Sequence, residues 1–411
     1  MTKVCVMGLG YVGLPLAVRA AEAGFHVFGV ESDELRAKRL DAGDSHVEDI
    51  PSARLLAALD TGRLHVSTVC DTPYDLCVIA VPTPLRAGVP DLTCVESAGR
   101  AVAEHLRPGA TVVLESTTYP GTTEDLLGPI LEAGSGLRAG RDFHLGYSPE
   151  RIDPGNPTWH LENTPKVVAG IDPASLDAVR AFYDRITTRT VPVTSLRTAE
   201  LTKLLENTFR QVNIALVNEL AMCAGPLGID IWEAVGAAAT KPFGFMPFYP
   251  GPGVGGHCLP VDPSYLSWQV RRELHHDVRF ISLANEINEQ MPEYVIRRME
   301  RGLGRDLRGA SVLVLGLAYK KDTGDVRESP ALRIAELLVR RGARVRAVEP
   351  YAVPAHLPPD VLLVELTGEE VRTADAVVLA TDHDAFDYPL IERNAAYLFD
   401  ARNRCAAADR L

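Results

Sequence analysis

Short apolar runs alternate with amphipathic stretches through the first part of the chain. Residues 3–8, 25–31, 76–81 and 111–115 are runs of this kind, and 143–147 and 166–170 extend the series. Runs this short, apolar throughout and separated by helical periodicity such as 13–23, predict the strands of a parallel sheet covered on both faces. From Thr198 the texture changes. Leu201, Leu204, Leu205, Val212 and Leu216 recur at helical spacing over 198–224, until Pro226 and Gly228 stop the run. Further helices are expected over 263–273 and 279–302, with a Pro/Gly-rich loop ahead of the first. A third segment then repeats the first: strand 311–316, helix 330–341, a stop at Gly342 and strand 343–349.

Gly8-Leu9-Gly10-Tyr11-Val12-Gly13 lies between the first strand and the first helix. Gly8 permits the tight turn, Gly10 lets a pyrophosphate approach, and Gly13 lets the helix pack on the sheet. Glu31, at the end of the second strand, can accept from a ribose diol and would repel a 2′-phosphate. The expected cofactor is therefore NAD and not NADP. Val81-Pro82-Thr83-Pro84 and Glu115-Ser116-Thr117-Thr118 also end strands; a cofactor-facing role and simple capping both remain open for them. The third segment lacks GxGxxG and carries Lys320, Lys321 and Arg327 around its loop, which suits a different anionic ligand. The expected fold is α/β: two Rossmann-like parallel-sheet domains, 1–196 and 303–411, joined by a central helical dimerisation region, 197–302. A helical block between two α/β units suits an interface, so a homodimer is expected.

Of 411 residues, 46% are hydrophobic and 23% charged, as in ordinary globular chains. The net charge of −12 argues against nucleic acid as the main partner. No apolar run reaches the ~20 residues that span a bilayer, and Met1-Thr2-Lys3 leads directly into a strand, so neither a membrane segment nor a signal peptide is expected. Seven scattered cysteines without CxxC spacing point to free thiols in a reducing cytoplasm. Cys5 and Cys77, in apolar strands, are expected in the core.

One cysteine stands apart. Cys258 follows Gly251-Pro252-Gly253-Val254-Gly255-Gly256-His257, with Asp262 four residues on. The glycines leave room for a substrate beside the thiol, and a carboxylate nearby can order a water or a proton. With a dinucleotide fingerprint in the same chain, this points to oxidation through a covalent sulfur adduct, in preference to a buried structural thiol. On the central helix Lys203, Asn207 and Arg210 share one face, as a solvated stripe or as groups that meet a developing alkoxide. Spacing leaves both open. No metal is expected, because the adjacent His275 and His276 cannot both face one ion well.

The ordered motifs GLGYVGLP (8–15), VPTP (81–84), ESTTYPGTT (115–123), SPERIDPGN (148–156), AELTKLLENTFR (199–210), PGPGVGGHCLPVDP (250–263), GLAYKKDTGDVRESPA (316–331) and DARN (400–403) resemble the UDP-glucose/GDP-mannose dehydrogenase family over essentially the whole chain. The resemblance implies four-electron oxidation of the C6 alcohol of a nucleotide sugar to the uronic acid, with two NAD per substrate. Cys258 would trap the aldehyde as a thiohemiacetal and carry the acyl group as a thioester. Lys203 would stabilise oxyanions or help deprotonate the hydroxyl, Asn207 would hold the sugar oxygen, Asp262 and Thr117 would position a water, and Glu150 would be the base for thioester hydrolysis. Glu31, Arg36, Thr83, Thr117 and Arg327 match NAD-contacting positions. Glu150, Arg151, Ile152, Lys203, Asn207, Arg210, Tyr249, Gly253, Lys320 and Arg402 match positions near the nucleotide sugar, and Lys241 is expected to reach the neighbouring subunit's site. The segments around 242–249 and 263–268 lean towards UDP-N-acetylglucosamine, and the 320–325 loop towards UDP-glucose. Two other readings compete: a two-electron hydroxyacid-type dehydrogenase, which needs no thiol, and a catalytically silent NAD-binding sensor.

Overall fold

The computed structural model describes residues 2–411 other than 70, 154, 155, 157, 257 and 352–356, and the backbone alone of Cys258. The chain divides into two compact units, Met1–Glu206 and Asn207–Leu411.

The first unit is built on an eight-stranded sheet. Its spatial order is Thr190–Pro192, Lys166–Gly170, His144–Tyr147, Thr111–Leu114, Leu76–Ile79, Lys3–Met7, His26–Val30, Leu64–Ser67. The strands pair in parallel, except where Gly146 and Tyr147 run antiparallel to Gly170 and Ala169. From Lys3–Met7 the chain winds outward one way through His26–Val30 and Leu64–Ser67, then returns to Leu76–Ile79 on the other side. That reversal is the switch point at which doubly wound sheets bind ligands. The predicted apolar runs are the buried strands: Val4, Val6, Val78 and Val113 are fully enclosed with Leu14, Leu16 and Val18 of helix Gly13–Glu22. Cys5 and Cys77 are core thiols, as expected.

The second unit carries a six-stranded sheet, all parallel, in the order Leu362–Leu363, Arg344–Val348, Ser311–Leu315, Ala376–Leu379, Leu398–Asp400, Asp409–Arg410. The winding repeats that of the first unit. Gly8 has φ +91° and its amide donates to the Val30 carbonyl at 2.8 Å; Gly316 has φ +78° and donates to Val348 at 2.9 Å. A side chain at either would strike the end of the fourth core strand, at 2.6 Å from the Ala80 oxygen or 2.5 Å from that of Thr381. The helices join this unit. Met291, Val295, Ile296 and Met299 of Arg279–Leu303 share one core with Val312, Val314 and Ile334. Among the described residues no helix is long and apolar enough to cross a membrane.

Candidate active site

The dinucleotide cradle follows from three glycines with different surroundings. A Cβ on Gly13 would lie 1.8 Å from the Gly8 oxygen, so the helix packs where only glycine fits. A Cβ on Gly10 would meet nothing within 4 Å, which leaves the approach to the helix N-terminus open for a pyrophosphate. Glu31 is buried at the end of its strand. It accepts from the Leu9 amide at 3.4 Å and the Asp33 amide at 3.0 Å, and lies 3.4 Å from the half-exposed Arg36. An acceptor held there fits a ribose diol, so the residues suit NAD. Tyr11 and Val12 are half-buried on the turn between. The repeat in the second unit places Glu349 in the same way, on the Leu317 amide at 2.6 Å, but there the Ala318 amide joins it at 2.9 Å and buried His383 closes over it, with Nε2 at 3.1 Å.

The two hydroxyl-rich strand ends are stapled together. Thr83 Oγ1 donates to the Thr117 carbonyl at 2.8 Å, and Ser116 Oγ to that of Val81 at 2.8 Å. They therefore form one platform at the carboxyl edge of the sheet. Thr83 is buried and its proton is spent on the loop, whereas Thr117 keeps partial exposure.

Behind that platform, Glu150 sits just past strand His144–Tyr147. Its Oε1 accepts the amides of Arg151 at 2.6 Å and Ile152 at 2.7 Å, and its Oε2 accepts Lys166 Nζ at 2.7 Å. Lys166 also meets Glu115, whose other oxygen takes the Tyr183 hydroxyl at 2.9 Å. Burial drives the Glu115 carboxyl up to about 7 against the pull of Lys166. For Glu150, burial acts in the same direction, but Lys166 and the amides outweigh it and hold the group below its ordinary value. Arg151 does not face this carboxylate. Its guanidinium pairs with Glu206 at 2.6 Å and donates to the Pro165 carbonyl at 2.5 Å.

Helix Leu196–Ala224 divides its polar stripe between the interior and the surface. Lys203 and Asn207 are buried, whereas Arg210 is exposed. Lys203 makes no hydrogen bond or ion pair among the described residues, and Asn207 Nδ2 donates to Asp262 Oδ2 at 2.5 Å. One turn before Lys203, Glu200 receives the amides of Gly121 and Thr123, which tie the helix to the chain beyond Thr117. Burial lifts its carboxyl to about 7.

The glycine-rich segment corrects two expectations. Cys258 does not lie in the loop: it is the first residue of helix Cys258–Leu274, which begins before the predicted 263. A proline in the first turn costs nothing there, because the amide it lacks has no intrahelical partner, so Pro260 does not delay the start. The glycines also do not leave open space. Added side chains would strike the Asn288 carbonyl oxygen from Gly253 at 2.9 Å, Tyr319 from Gly255 at 2.6 Å, and the Tyr319 ring from Gly256 at 2.9 Å. They are glycines because the loop is pressed against its own unit. The side chain of Cys258 lies outside the described residues, but Asp262 follows one turn later on the same helix.

Around this loop the second unit gathers several expected ligand positions. Arg402 lies against Gly251, where a Cβ would be 3.0 Å from its guanidinium, and its Nε donates to the Ala380 carbonyl at 2.9 Å. The Gly256 amide donates to the Arg327 carbonyl at 3.0 Å. The Arg327 guanidinium itself is held by Asp325, at 2.9 and 2.6 Å. Lys320 is half-buried on the same loop. Lys241 and Tyr249 are exposed; Tyr249 stacks on Trp232 with ring centroids 5.8 Å apart, and Lys241 lies over the Phe243 ring. Among the described residues no group of three or more His, Cys, Asp or Glu is placed to hold a metal ion.

Sequence reasoning missed two sets of residues. Lys166 heads a strand otherwise apolar, a weak signal, since a lysine at a strand end usually reaches water. Asn218 accepts the Gly251 amide at 2.9 Å and donates to Asn288 at 2.9 Å, a buried amide chain that anchors the glycine loop. No sequence spacing links those positions.

Comparison with known proteins matches three family models in order. These are the NAD binding domain (residues 2–187), central domain (197–290) and UDP binding domain (313–407) of the UDP-glucose/GDP-mannose dehydrogenase family. A UDP-N-acetyl-D-mannosamine dehydrogenase of Pyrococcus horikoshii is 38% identical over 393 residues, covering 93% of this chain and 90% of the relative. An NDP-N-acetyl-D-galactosaminuronic acid dehydrogenase of Ralstonia nicotianae is 36% identical over 395 residues, covering 93% and 91%. The solved structure of the UDP-D-ManNAc dehydrogenase from Pyrococcus horikoshii superimposes with a TM-score of 0.90 at 35% identity, covering 99% of this chain and 98% of its own.

Proposed function

Since this chain belongs to the UDP-glucose/GDP-mannose dehydrogenase family and carries its NAD binding and UDP binding domains, we propose that it oxidises the C6 alcohol of a UDP-activated 2-acetamido-hexose to the uronic acid in two successive steps. NAD supplies the hydride acceptor for both oxidations. The relatives described above carry acetamido sugars in their names, which moves the preferred substrate from N-acetylglucosamine to N-acetylmannosamine, with N-acetylglucosamine and glucose behind it.

The observation that carries the chemistry is the buried Asn207–Asp262 pair one helical turn from Cys258. A helix N-terminus offers Cys258 unpaired amides and the positive end of the dipole, which favour the thiolate. The thiolate adds to the C6 aldehyde, and the thiohemiacetal gives up the second hydride to become a thioester. Lys203, buried and without a partner among the described residues, stabilises the oxyanions. Asp262 and Thr117 position a water, Asn207 holds the sugar oxygen, and Glu150 is the general base for thioester hydrolysis. Glu31, Arg36, Thr83 and Thr117 contact NAD, as does Arg327 once it leaves Asp325. Arg151, Ile152, Arg210, Tyr249, Gly253, Lys320 and Arg402 contact the nucleotide sugar.

The functional division is 1–196 for NAD, 197–302 for dimerisation and the cysteine, and 303–411 for the nucleotide. A homodimer is supported by an apolar stripe on the central helix. Leu201, Leu205, Phe209, Leu216 and Leu220 recur along one face and are all exposed in the single chain. Lys241 then serves the neighbouring subunit's site.

The test is a panel of UDP-sugars with purified protein and NAD. The expected result is two NADH per sugar, a uronic acid by mass, the highest kcat/KM with an N-acetylated hexosamine, and no acid from Cys258→Ser. One NADH per turnover, or acid from the serine variant, favours the two-electron dehydrogenase; tight NAD binding without turnover favours the silent sensor.

A further inference from the structure

The cluster behind Glu150 contains more than a general base needs. Lys166, Glu115 and Tyr183 are as enclosed as any core residue, at 2%, 1% and 0% exposure, and Glu150 retains 7%. Two carboxylates share one ammonium in a buried site: Lys166 Nζ donates to Glu150 Oε2 at 2.7 Å and to Glu115 Oε1. Each group comes from a different element. Glu115 follows strand Thr111–Leu114, Glu150 follows His144–Tyr147, Lys166 opens Lys166–Gly170, and Tyr183 closes helix Pro173–Tyr183. Charge this costly to bury is kept only where it is paired, and here the pairing leaves one negative charge over.

That surplus bears on the chemistry of Glu150. A carboxylate that accepts an ammonium and two amides is stabilised as the anion, and so is a poor resting place for a proton. Glu115 accepts from Lys166 and the Tyr183 hydroxyl but from no amide among the described residues, and is the more basic of the two. We infer that Glu115, Lys166 and Glu150 form a proton relay, in which Glu150 takes the proton only in transit and Glu115 stores it.

The relay rests on the reading of Glu150 as the base for thioester hydrolysis. Water attacks the acyl carbon; its oxygen bonds to that carbon, the carbon–sulfur bond breaks with its pair going to Cys258, and the water's proton passes to Glu150. Lys166 then gives one N–H proton to Glu115 and receives the proton from Glu150. Glu150 is again an anion, Lys166 again an ammonium, and Glu115 a neutral acid, so charge and protons balance. After product release the same path runs backwards, and the proton leaves through Glu150, the most exposed of the three. The groups facing Glu115 are Lys166, Glu150 and Tyr183, so its ionisation governs whether the relay is ready. It must be charged to accept.

The test is Glu115→Gln, which keeps the shape and removes the proton store, with rates followed from acyl-enzyme to acid by mass spectrometry across pH 5.5–8.5 (roughly a unit and a half either side of the Glu115 ionisation). In the wild type, hydrolysis should rise with pH through about 7. The variant should lose that rise, accumulate acyl-Cys258 and hydrolyse roughly ten- to a hundred-fold more slowly. A purely structural Glu115 would not remove a limb of the pH profile. Should Glu115→Gln fail to fold by circular dichroism, Tyr183→Phe replaces it. Loss of the hydroxyl donated to Glu115 destabilises its anion, so the rise must move to higher pH. An unmoved rise in the variant that folds overturns the relay. Glu150→Gln separates the two ideas: normal hydrolysis in that variant rejects Glu150 as the base, whereas slow hydrolysis there with normal hydrolysis in Glu115→Gln rejects the relay alone.

Discussion

A methyl group added at Gly13 would lie 1.8 Å from the Gly8 carbonyl oxygen, while one at Gly10 would meet nothing within 4 Å. The motif needs glycine at both places, for different reasons, and substitution separates them. Gly13→Ala should cost about 3 kcal/mol or prevent folding, because a backbone oxygen cannot yield as a flexible side chain does. Gly10→Ala should leave the melting temperature within about 1 °C, yet raise the KM for NAD roughly tenfold by standing where the pyrophosphate approaches. Equal losses of stability in the two variants would contradict this division. Other residues gave no such local sign. Glu31 could be proposed for the ribose from its place at the end of the second strand, but the partners of Lys166 lie 51 and 16 residues away in sequence and meet it only in the sheet.

Elements were legible wherever periodicity was strong. Strand 3–8 is Lys3–Met7, helix 198–224 is Leu196–Ala224, and helix 279–302 is Arg279–Leu303. Helix Cys258–Leu274 was misjudged because its first turn holds Pro260 and its interior Pro263, two residues that usually mark a boundary. The long central helix carries a second message. Leu204 is fully buried, but Leu205, 62% exposed, and Leu216, 51% exposed, belong to the same apolar pattern and find no cover within one chain. If that face joins two copies, Leu205→Lys and Leu216→Lys should each weaken association by roughly ten- to a hundred-fold, from the ~1.5–3 kcal/mol of burying a leucine. Sedimentation equilibrium would read this as a shift from dimer to monomer. An unchanged distribution removes the stripe as the interface.

On the scale of the molecule, the chain holds two doubly wound sheets that cap the glycine turn with a carboxylate at the same position, Glu31 and Glu349, and differ in what surrounds it. In the first, Gly10 leaves the approach to the turn open beside Glu31; in the second, buried His383 closes over Glu349, and the proposed ligand positions gather instead where Gly251 and Gly256 meet Arg402 and Arg327. Hydrogen exchange should register the difference. NADH should slow amides at 8–14 and 31–36, and UDP those at 251–256 and 317–327, by up to a hundred-fold at a ligand concentration about a hundred times Kd. Protection around Arg327 by NADH alone would support its assignment to the cofactor; its absence would return Arg327 to the nucleotide sugar or to Asp325.

Local chemistry therefore fixed a good deal. Strand and helix periods follow from which side chains repeat along the backbone, and the glycine fingerprint and the Cys258 segment follow from backbone freedom at neighbouring positions. Those are short-range properties, written consecutively in the chain. What only folding decided is long-range. A charge can stay in the core only if its partners arrive from other strands, so the burial of Lys166 between Glu115 and Glu150 became visible with the sheet order. The amide chain from Gly251 through Asn218 to Asn288 likewise exists only because separate helices and a loop converge on one another.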